Sequence, residues 1–311
     1  MRAIILKGFG GIDQMSYTEL PLPALSEGEV LVEVRAISIN PVDVKTRAGK
    51  GMAGRLKTED PIILGWDISG TVRESTSGKF KTGDEVFGMI RFPGHGKAYA
   101  GFVTAPADHL ALKPAGISHN EAAAASLAAL TAWHAFVHQT RITPGQRVLV
   151  HAAAGGVGHF AVQMAKYLGA YVIGTASAAN RDFVLGLGAD EHVDYKSGRL
   201  EDAVNDVDLV LDTIGGDNID KSLPVIKNGG TIISIPSGLN EHVAEKAKAK
   251  GVHGFSFLVQ SNGEDMQQVA RLLESGAVKS FVSQVFPFVE MGAAHLQIES
   301  GRTRGKIAIE I

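Results

Sequence analysis

The segment VLVHAAAGGVGHFAVQMAKYLGAYVIGTASAANR, Val148 to Arg181, leaves few folds open. An apolar, β-branched run enters a glycine-rich turn, continues with apolar residues at helical spacing, and gives way to a second apolar run. Strand, turn, helix and strand in that order form a βαβ unit, whose crossover helix covers one face of a parallel sheet. The turn reads Ala153-Ala154-Gly155-Gly156-Val157-Gly158, a G-x-G-x-x-G fingerprint with alanine in the first slot. In such a turn Gly155 lets the backbone approach a pyrophosphate, and Gly158 lets the helix close on its strand. The helix N-terminus adds unpaired N–H groups and the positive end of the helix dipole. The competing reading is a tight strand–helix turn with no ligand. A P-loop does not fit, because the Lys-Ser/Thr pair that ends one is missing.

The end of the second strand selects among dinucleotides. NAD binding usually places an acidic side chain there, on the ribose 2′-hydroxyl. Thr175-Ala176-Ser177 stands at that place, and the nearest acid, Asp182, falls in the next helix. Ser177, then Asn180 and Arg181, follow instead. A small hydroxyl followed by a guanidinium suits a 2′-phosphate, which arginine grips with two parallel hydrogen bonds. This predicts NADPH. The bland alternative for Arg181 is a solvated charge at a helix start.

Around this unit the texture of the chain changes twice. Up to about Gly116, short runs such as GEVLVEVRAISI (Gly28 to Ile39) and PIILGWDISGTVRE (Pro61 to Glu74) are split by Gly, Pro and Asp. They predict a compact, barrel-like β domain. Ser118 and Glu121 form a capping-box pattern that opens a helix through EAAAASLAALTAWHAFV, Glu121 to Val137. Strands and helices then alternate, as in a doubly wound parallel sheet. From about Gln284 the tail returns to β-like pieces, SQVFPF and GKIAIEI, which are expected to rejoin the first domain. The expected division is 1–120 with 284–311 for the β domain and 121–283 for the α/β domain.

Composition removes other classes. The net charge of -3 gives no basic footprint for nucleic acid. There are no cysteines, so neither a disulfide nor a Cys-ligated zinc site can form. No window approaches the roughly 18 apolar residues of a membrane span, and the apolar start Ala3 to Leu6 is too short for a secretory signal. A cytoplasmic protein is expected. His134 and His138 stand four apart on the predicted helix, but no third ligand lies near them in sequence and no HExxH pattern exists; no metal is expected.

The chain resembles the zinc-independent quinone oxidoreductases of the medium-chain dehydrogenase/reductase superfamily over essentially its whole length. The matching segments run in order: ISINPVDVKTRAG, PIILGWDISGTV, FKTGDEVFG, AYAGFVTAPADHLALKP, LAALTAWHAF, VLVHAAAGGVGHFAVQMAKYLGA, VIGTASAANRDFVLGLGADEHVDY, DLVLDTIGG, NGGTIISI and GRTRGKIAIEI. The resemblance implies a GroES-like catalytic domain, a Rossmann domain with the cofactor in the cleft between them, and a homodimer. It also sharpens the metal argument. Zinc alcohol dehydrogenases carry cysteine where this chain has Asn40, and a His-Glu pair where it has Trp66-Asp67. Amide and indole do not replace thiolate and imidazole as zinc ligands. Without a Lewis acid, substrates already electrophilic towards hydride are expected: quinones, or double bonds conjugated to a carbonyl.

Carried over residue by residue, the resemblance implies nicotinamide-side contacts for Asn40 and Thr131, whose alternatives are a turn asparagine and an ordinary helix residue. It implies a 2′-phosphate grip for Ser177, Arg181 and Tyr195. Gly215 and Ile235, near the ends of the strands DLVLDTI and GTIISIP, are expected at the cofactor cleft. Phe257 and Val259 either line the nicotinamide pocket or form an edge strand for dimerisation, and Lys306 is a candidate cofactor contact. Some relatives have tyrosine where Lys45 stands, so Lys45 is a candidate to contact the cofactor or to steady charge on a substrate oxygen, or is a surface lysine. Tyr99 is the nearest hydroxyl by family position. The rival readings are an enoyl-thioester or alkenal reductase, and an NADPH-binding sensor without turnover.

Overall fold

The strand Glu29–Ile39 organises the first half of the chain in the computed structural model, which describes all 311 residues. Its alternating sequence reads as half-buried, yet only Glu29, Glu33 and Arg35 escape full burial. The reason is pairing. The strand runs antiparallel to Asp67–Ser75, to Phe102–Pro106 and to the C-terminal strand Lys306–Glu310. The sheet extends through Val282–Pro287 at one edge and through Glu85–Met89 to Ala111–Leu112 at the other. A smaller sheet joins Met15–Glu19, Arg2–Leu6 and Ile62–Ile63. The tail therefore rejoins the first sheet, with Ile307 opposite Ile39 and Ile309 opposite Ile37.

The α/β half is a six-stranded, wholly parallel sheet. Its spatial order is Glu191–Asp194, Tyr171–Ala176, Arg147–Val150, Val207–Asp212, Ile226–Ser234, His253–Phe255. In order of appearance this is the arrangement of a dinucleotide-binding fold, whose switch point lies between the first strand and the fourth. Leu149, Ile173, Val210 and Ile232 are fully buried and pack with Val207, Ile219 and Ala247, so crossover helices cover an apolar sheet face. The fold is α/β, a GroES-like β-rich domain with a Rossmann domain.

Two compact units result: Met1–Leu130, Val259–Gly276 and Ser280–Ile311 in one, Thr131–Leu258 and Ala277–Lys279 in the other. These bounds differ from the expected 1–120 with 284–311 and 121–283. The helix Gly263–Glu274 belongs with the β unit because it packs on Ala107–His109 and Ala111–Leu112. Contact there is close: a Cβ on Gly263 would stand 2.6 Å from the Asp108 carbonyl oxygen. In the same unit Ser261 Oγ accepts the Phe92 N–H at 2.8 Å.

The helix expected through Glu121–Val137 starts as read and then breaks. Ser118 Oγ accepts the Glu121 N–H at 3.2 Å, and Glu121 returns a carboxylate oxygen to the Ser118 N–H at 2.8 Å. The first helix stops at Ala124, and a second runs Leu127–Trp133 before passing into a π-helix, His134–Gln139. At the break the Leu127 N–H donates to the buried carboxylate of Asp67 at 3.0 Å. A side chain 60 positions away thus supplies an acceptor at the new helix start.

Candidate functional site

The glycine turn has the shape its sequence implies. After strand Arg147–Val150 the chain reverses through Ala152, which holds a positive φ of 46°. The Gly155 N–H returns to the Ala152 carbonyl at 2.8 Å, and helix Gly156–Tyr167 begins. A Cβ on Gly158 would lie 2.1 Å from the Ala152 oxygen and 2.8 Å from Ala153 Cα. Only glycine lets the helix come this close to its strand. Ala154 is buried, while Gly155, Gly156 and Val157 are partly open. Their end of the helix presents N–H groups without intrahelical partners, a fit for a pyrophosphate.

At the end of the next strand Asn180 Nδ2 donates to Ser177 Oγ at 3.2 Å. The Arg181 side chain is 63% exposed, and the acid nearest its guanidinium is its own neighbour Asp182 at 3.6 Å. Tyr195 is exposed, and Lys196 Nζ lies 5.6 Å from the centre of its ring. Lys196 adds a cation that sequence reading missed, although it adjoins Tyr195. Of these residues Tyr195 lines a cavity of about 780 Å³, together with His151, Thr175, Arg199, Ile214 and Lys221 among others.

Two buried polar groups shape that cavity. Ser222 Oγ donates to the Asn218 carbonyl at 2.6 Å, so it accepts from His151 Nε2 at 2.9 Å. His151 Nδ1 is then the acceptor for the Thr175 hydroxyl at 3.0 Å. Burial lowers the imidazole pKa to about 4, so this histidine is neutral. Asp212 takes the N–H groups of Ile214 and Gly215 and the Asn218 amide on Oδ1, and the Ser234 hydroxyl on Oδ2. It thereby fixes the loop carrying Gly215 and the end of the strand that leads to Ile235, whose N–H bonds the Asp212 carbonyl at 2.9 Å. Gly215, at φ 75°, has no room for a Cβ, which would meet Leu239 at 2.7 Å.

A second polar centre is buried in the β unit. Asn40 follows the long strand and caps the start of helix Pro41–Arg47. Its N–H donates to Asp43 Oδ2 at 2.6 Å, its Nδ2 donates to Asp67 Oδ2 at 2.7 Å, and its Oδ1 accepts from Lys306 Nζ. Lys306 Nζ also donates to the Ile39 carbonyl at 2.9 Å. Burial pushes Asp43 up to about 8 and Asp67 up to about 6, the latter held down in part by the Lys306 charge. Burial also lowers the Lys306 ammonium. Lys306, expected at the cofactor, is 3% exposed and bonded inside its own unit.

Tyr99 is fully buried, and its hydroxyl meets His295 Nε2 at 2.9 Å. His295 Nδ1 faces the Arg47 guanidinium at 3.4 Å, and Arg47 pairs with Glu299 at 2.5 Å. Arginine only donates, so Nδ1 accepts, Nε2 carries the proton, and the Tyr99 oxygen receives it. Lys45 is half-buried, and burial together with the Lys50 charge lowers its ammonium pKa. Thr131 is 2% exposed, in the helix Leu127–Trp133. Phe257 and Val259 follow the edge strand His253–Phe255 rather than forming it; Phe257 is half-buried and Val259 buried.

The positions of the zinc ligands do not suit that metal. The Trp66 indole N–H is committed to the Gly94 carbonyl at 2.7 Å. Asp67 has both oxygens engaged, and the chain has no thiolate to offer.

Comparison with known proteins agrees with this fold. Residues 26–115 match the alcohol dehydrogenase GroES-like domain family, and residues 187–309 match the zinc-binding dehydrogenase family. An NADPH-dependent alkenal/one oxidoreductase of Arabidopsis thaliana chloroplasts is 32% identical, over 99% of this chain and 79% of that protein. The quinone oxidoreductase of Coxiella burnetii superimposes with a TM-score of 0.95 at 36% identity, covering 100% of this chain and 99% of that one. The Escherichia coli quinone oxidoreductase complexed with NADPH does so with a TM-score of 0.87 at 28% identity, covering 100% of both chains. The chain belongs to the quinone oxidoreductase-like branch of the medium-chain dehydrogenase/reductase superfamily.

Proposed function

We propose that this protein is an NADPH-dependent oxidoreductase that reduces quinones or α,β-unsaturated carbonyl compounds without a metal. The observation that carries the reading is the turn at Ala152–Gly158, which closes on its helix only because residue 158 lacks a Cβ. NADPH, when bound, supplies the hydride. The backbone N–H groups of Gly156, Val157 and Gly158 hold the pyrophosphate, and Ser177, Asn180, Arg181 and Tyr195 hold the 2′-phosphate. The loops at Gly215 and Ile235 border the dinucleotide, and Phe257 and Val259 flank its nicotinamide end. Asn40 and Thr131 orient the reacting partners, and Lys45 steadies negative charge on the acceptor oxygen.

Hydride adds to the β-carbon of an enone, and the enolate takes a proton from water or a nearby donor. A quinone receives two electrons as hydride and leaves as the hydroquinone after protonation. The protein's task is to position the reactants and keep water from the hydride. A cytoplasmic homodimer is part of the same reading.

The test is NADPH oxidation against a benzoquinone, a naphthoquinone, an enone, an alkenal and an enoyl-CoA, with NADH in parallel. Turnover of quinone or enone with NADPH preferred is the expected result. Preference for the thioester moves the assignment to an enoyl-thioester reductase. Tight NADPH binding with no turnover makes the protein a sensor.

A further inference from the structure

Asp67 uses its two oxygens for two different elements. Oδ2 accepts from Asn40 Nδ2 at 2.7 Å, and Oδ1 accepts the Leu127 N–H at 3.0 Å. Leu127 opens the helix that carries Thr131 one turn later. On the other side of Asn40, Lys306 Nζ donates to Oδ1. A carboxylate only accepts and an ammonium only donates. The amide is therefore held in one of its two flips, carbonyl towards Lys306 and NH₂ towards Asp67. All three side chains are buried, Asp67 at 0%, Asn40 at 2% and Lys306 at 3% exposure. Reversing the amide would set NH₂ against ammonium and carbonyl against carboxylate, where no water relieves either clash. What remains free on Asn40 is one Nδ2–H. That group recognises only an acceptor, and the pull of Lys306 on Oδ1 polarises it further.

We propose that Asp67 and Lys306 are positioning residues that lock Asn40 as a hydrogen-bond donor to an acceptor oxygen at the hydride-transfer site, while Asp67 also sets the helix of Thr131. The proposal rests on the reading of Asn40 and Thr131 as nicotinamide-side residues. The acceptor oxygen comes either from the cofactor, whose carboxamide carries one, or from the substrate carbonyl, whose oxygen becomes negative as hydride arrives.

The experiment is a reciprocal exchange. Asp67→Asn alone gives one carbonyl oxygen to serve two donors, so thermal stability and turnover both fall. Combining Asp67→Asn with Asn40→Asp restores the bonding in reverse: the amide moved to position 67 donates to the carboxylate moved to position 40, and that carboxylate still accepts from Lys306. This double variant keeps the buried charge but has no spare donor at position 40. Its melting temperature is expected to return towards wild type while function does not. If the oxygen is the substrate's, kcat falls about a hundredfold and the NADPH Kd, read by fluorescence titration, stays within about twofold. If it is the cofactor's, NADPH Kd rises about tenfold or more.

A double variant that regains stability, NADPH affinity and kcat together overturns the proposal, since packing alone would then explain the pair. So does a double variant that does not fold, because complementary bonding is what the exchange preserves. Wild-type protein that reduces no acceptor refutes the functional reading instead, and NADPH affinity of the double variant then decides the proposal.

Discussion

The carbonyl oxygen of Ala152 lies 2.1 Å from where a Cβ on Gly158 would stand, so these two residues set how closely the first crossover helix meets its strand. The obstruction is backbone, which no rotamer change relieves. Gly158→Ala is therefore expected to lift the helix N-terminus, cost about 1–3 kcal/mol of stability, and weaken NADPH binding. Thermal melting with and without NADPH measures both effects. Wild-type melting and affinity in the variant would show that the turn has slack.

Arg181 is exposed and has Asp182 as its nearest acid, so its guanidinium is available to a phosphate. Arg181→Ala is expected to raise the NADPH Kd about tenfold, the scale of one charge-assisted hydrogen bond, and to leave NADH binding unchanged. Lys196→Ala should act in the same sense and more weakly. Equal losses for both dinucleotides would remove these residues from the 2′-phosphate.

Because Trp66 and Asp67 are committed to protein partners, a metal chelator is expected to leave turnover unchanged. Activity after prolonged treatment with EDTA, compared with an untreated control, checks this. A loss reversed by zinc would contradict the metal-free mechanism.

Asp43 gives a pH dependence with a definite sign. Its folded pKa of about 8, raised from 3.8 by burial, means that the native state holds a proton the unfolded chain has released. Between those values stability falls as pH rises, and the loss is complete above about 8. His151 and His295, lowered to about 4 and about 3 by burial, act oppositely below 6.5, where the unfolded chain takes protons that they refuse. The window from about 6.5 to 8 is free of those two groups. Asp43→Asn is expected to melt with less pH dependence than wild type across it. Parallel melting curves would place the carboxyl outside this network.

The fold was legible where local pattern and tertiary role coincide. The turn at Ala153–Gly158 is a local solution to a local crowding problem, so its glycines announce it. The capping pair Ser118 and Glu121 is equally self-contained. The break at Ala125–Ser126 was not legible, because the side chain that meets the new helix start is Asp67, which nothing in the apolar run from Glu121 reveals. Asp212 escaped notice for a similar reason. Its bonds to Gly215, Asn218 and Ser234 join residues that sequence separates. Lys306 was legible as a buried strand residue only once its partner Asn40 was known, since a lysine carries no mark of the carbonyl it will meet.

The C-terminal strand Lys306–Glu310 lies between Val282–Pro287 and Glu29–Ile39, inside the first sheet and not at its margin. During synthesis the parallel-sheet unit emerges whole while the earlier β unit still lacks an interior strand. The order of completion is thus the reverse of the order of the sequence. The Asn40 amide, made early, waits for its cation until residue 306 has been made, so the buried bonding of the first sheet is completed long after the strand that begins it.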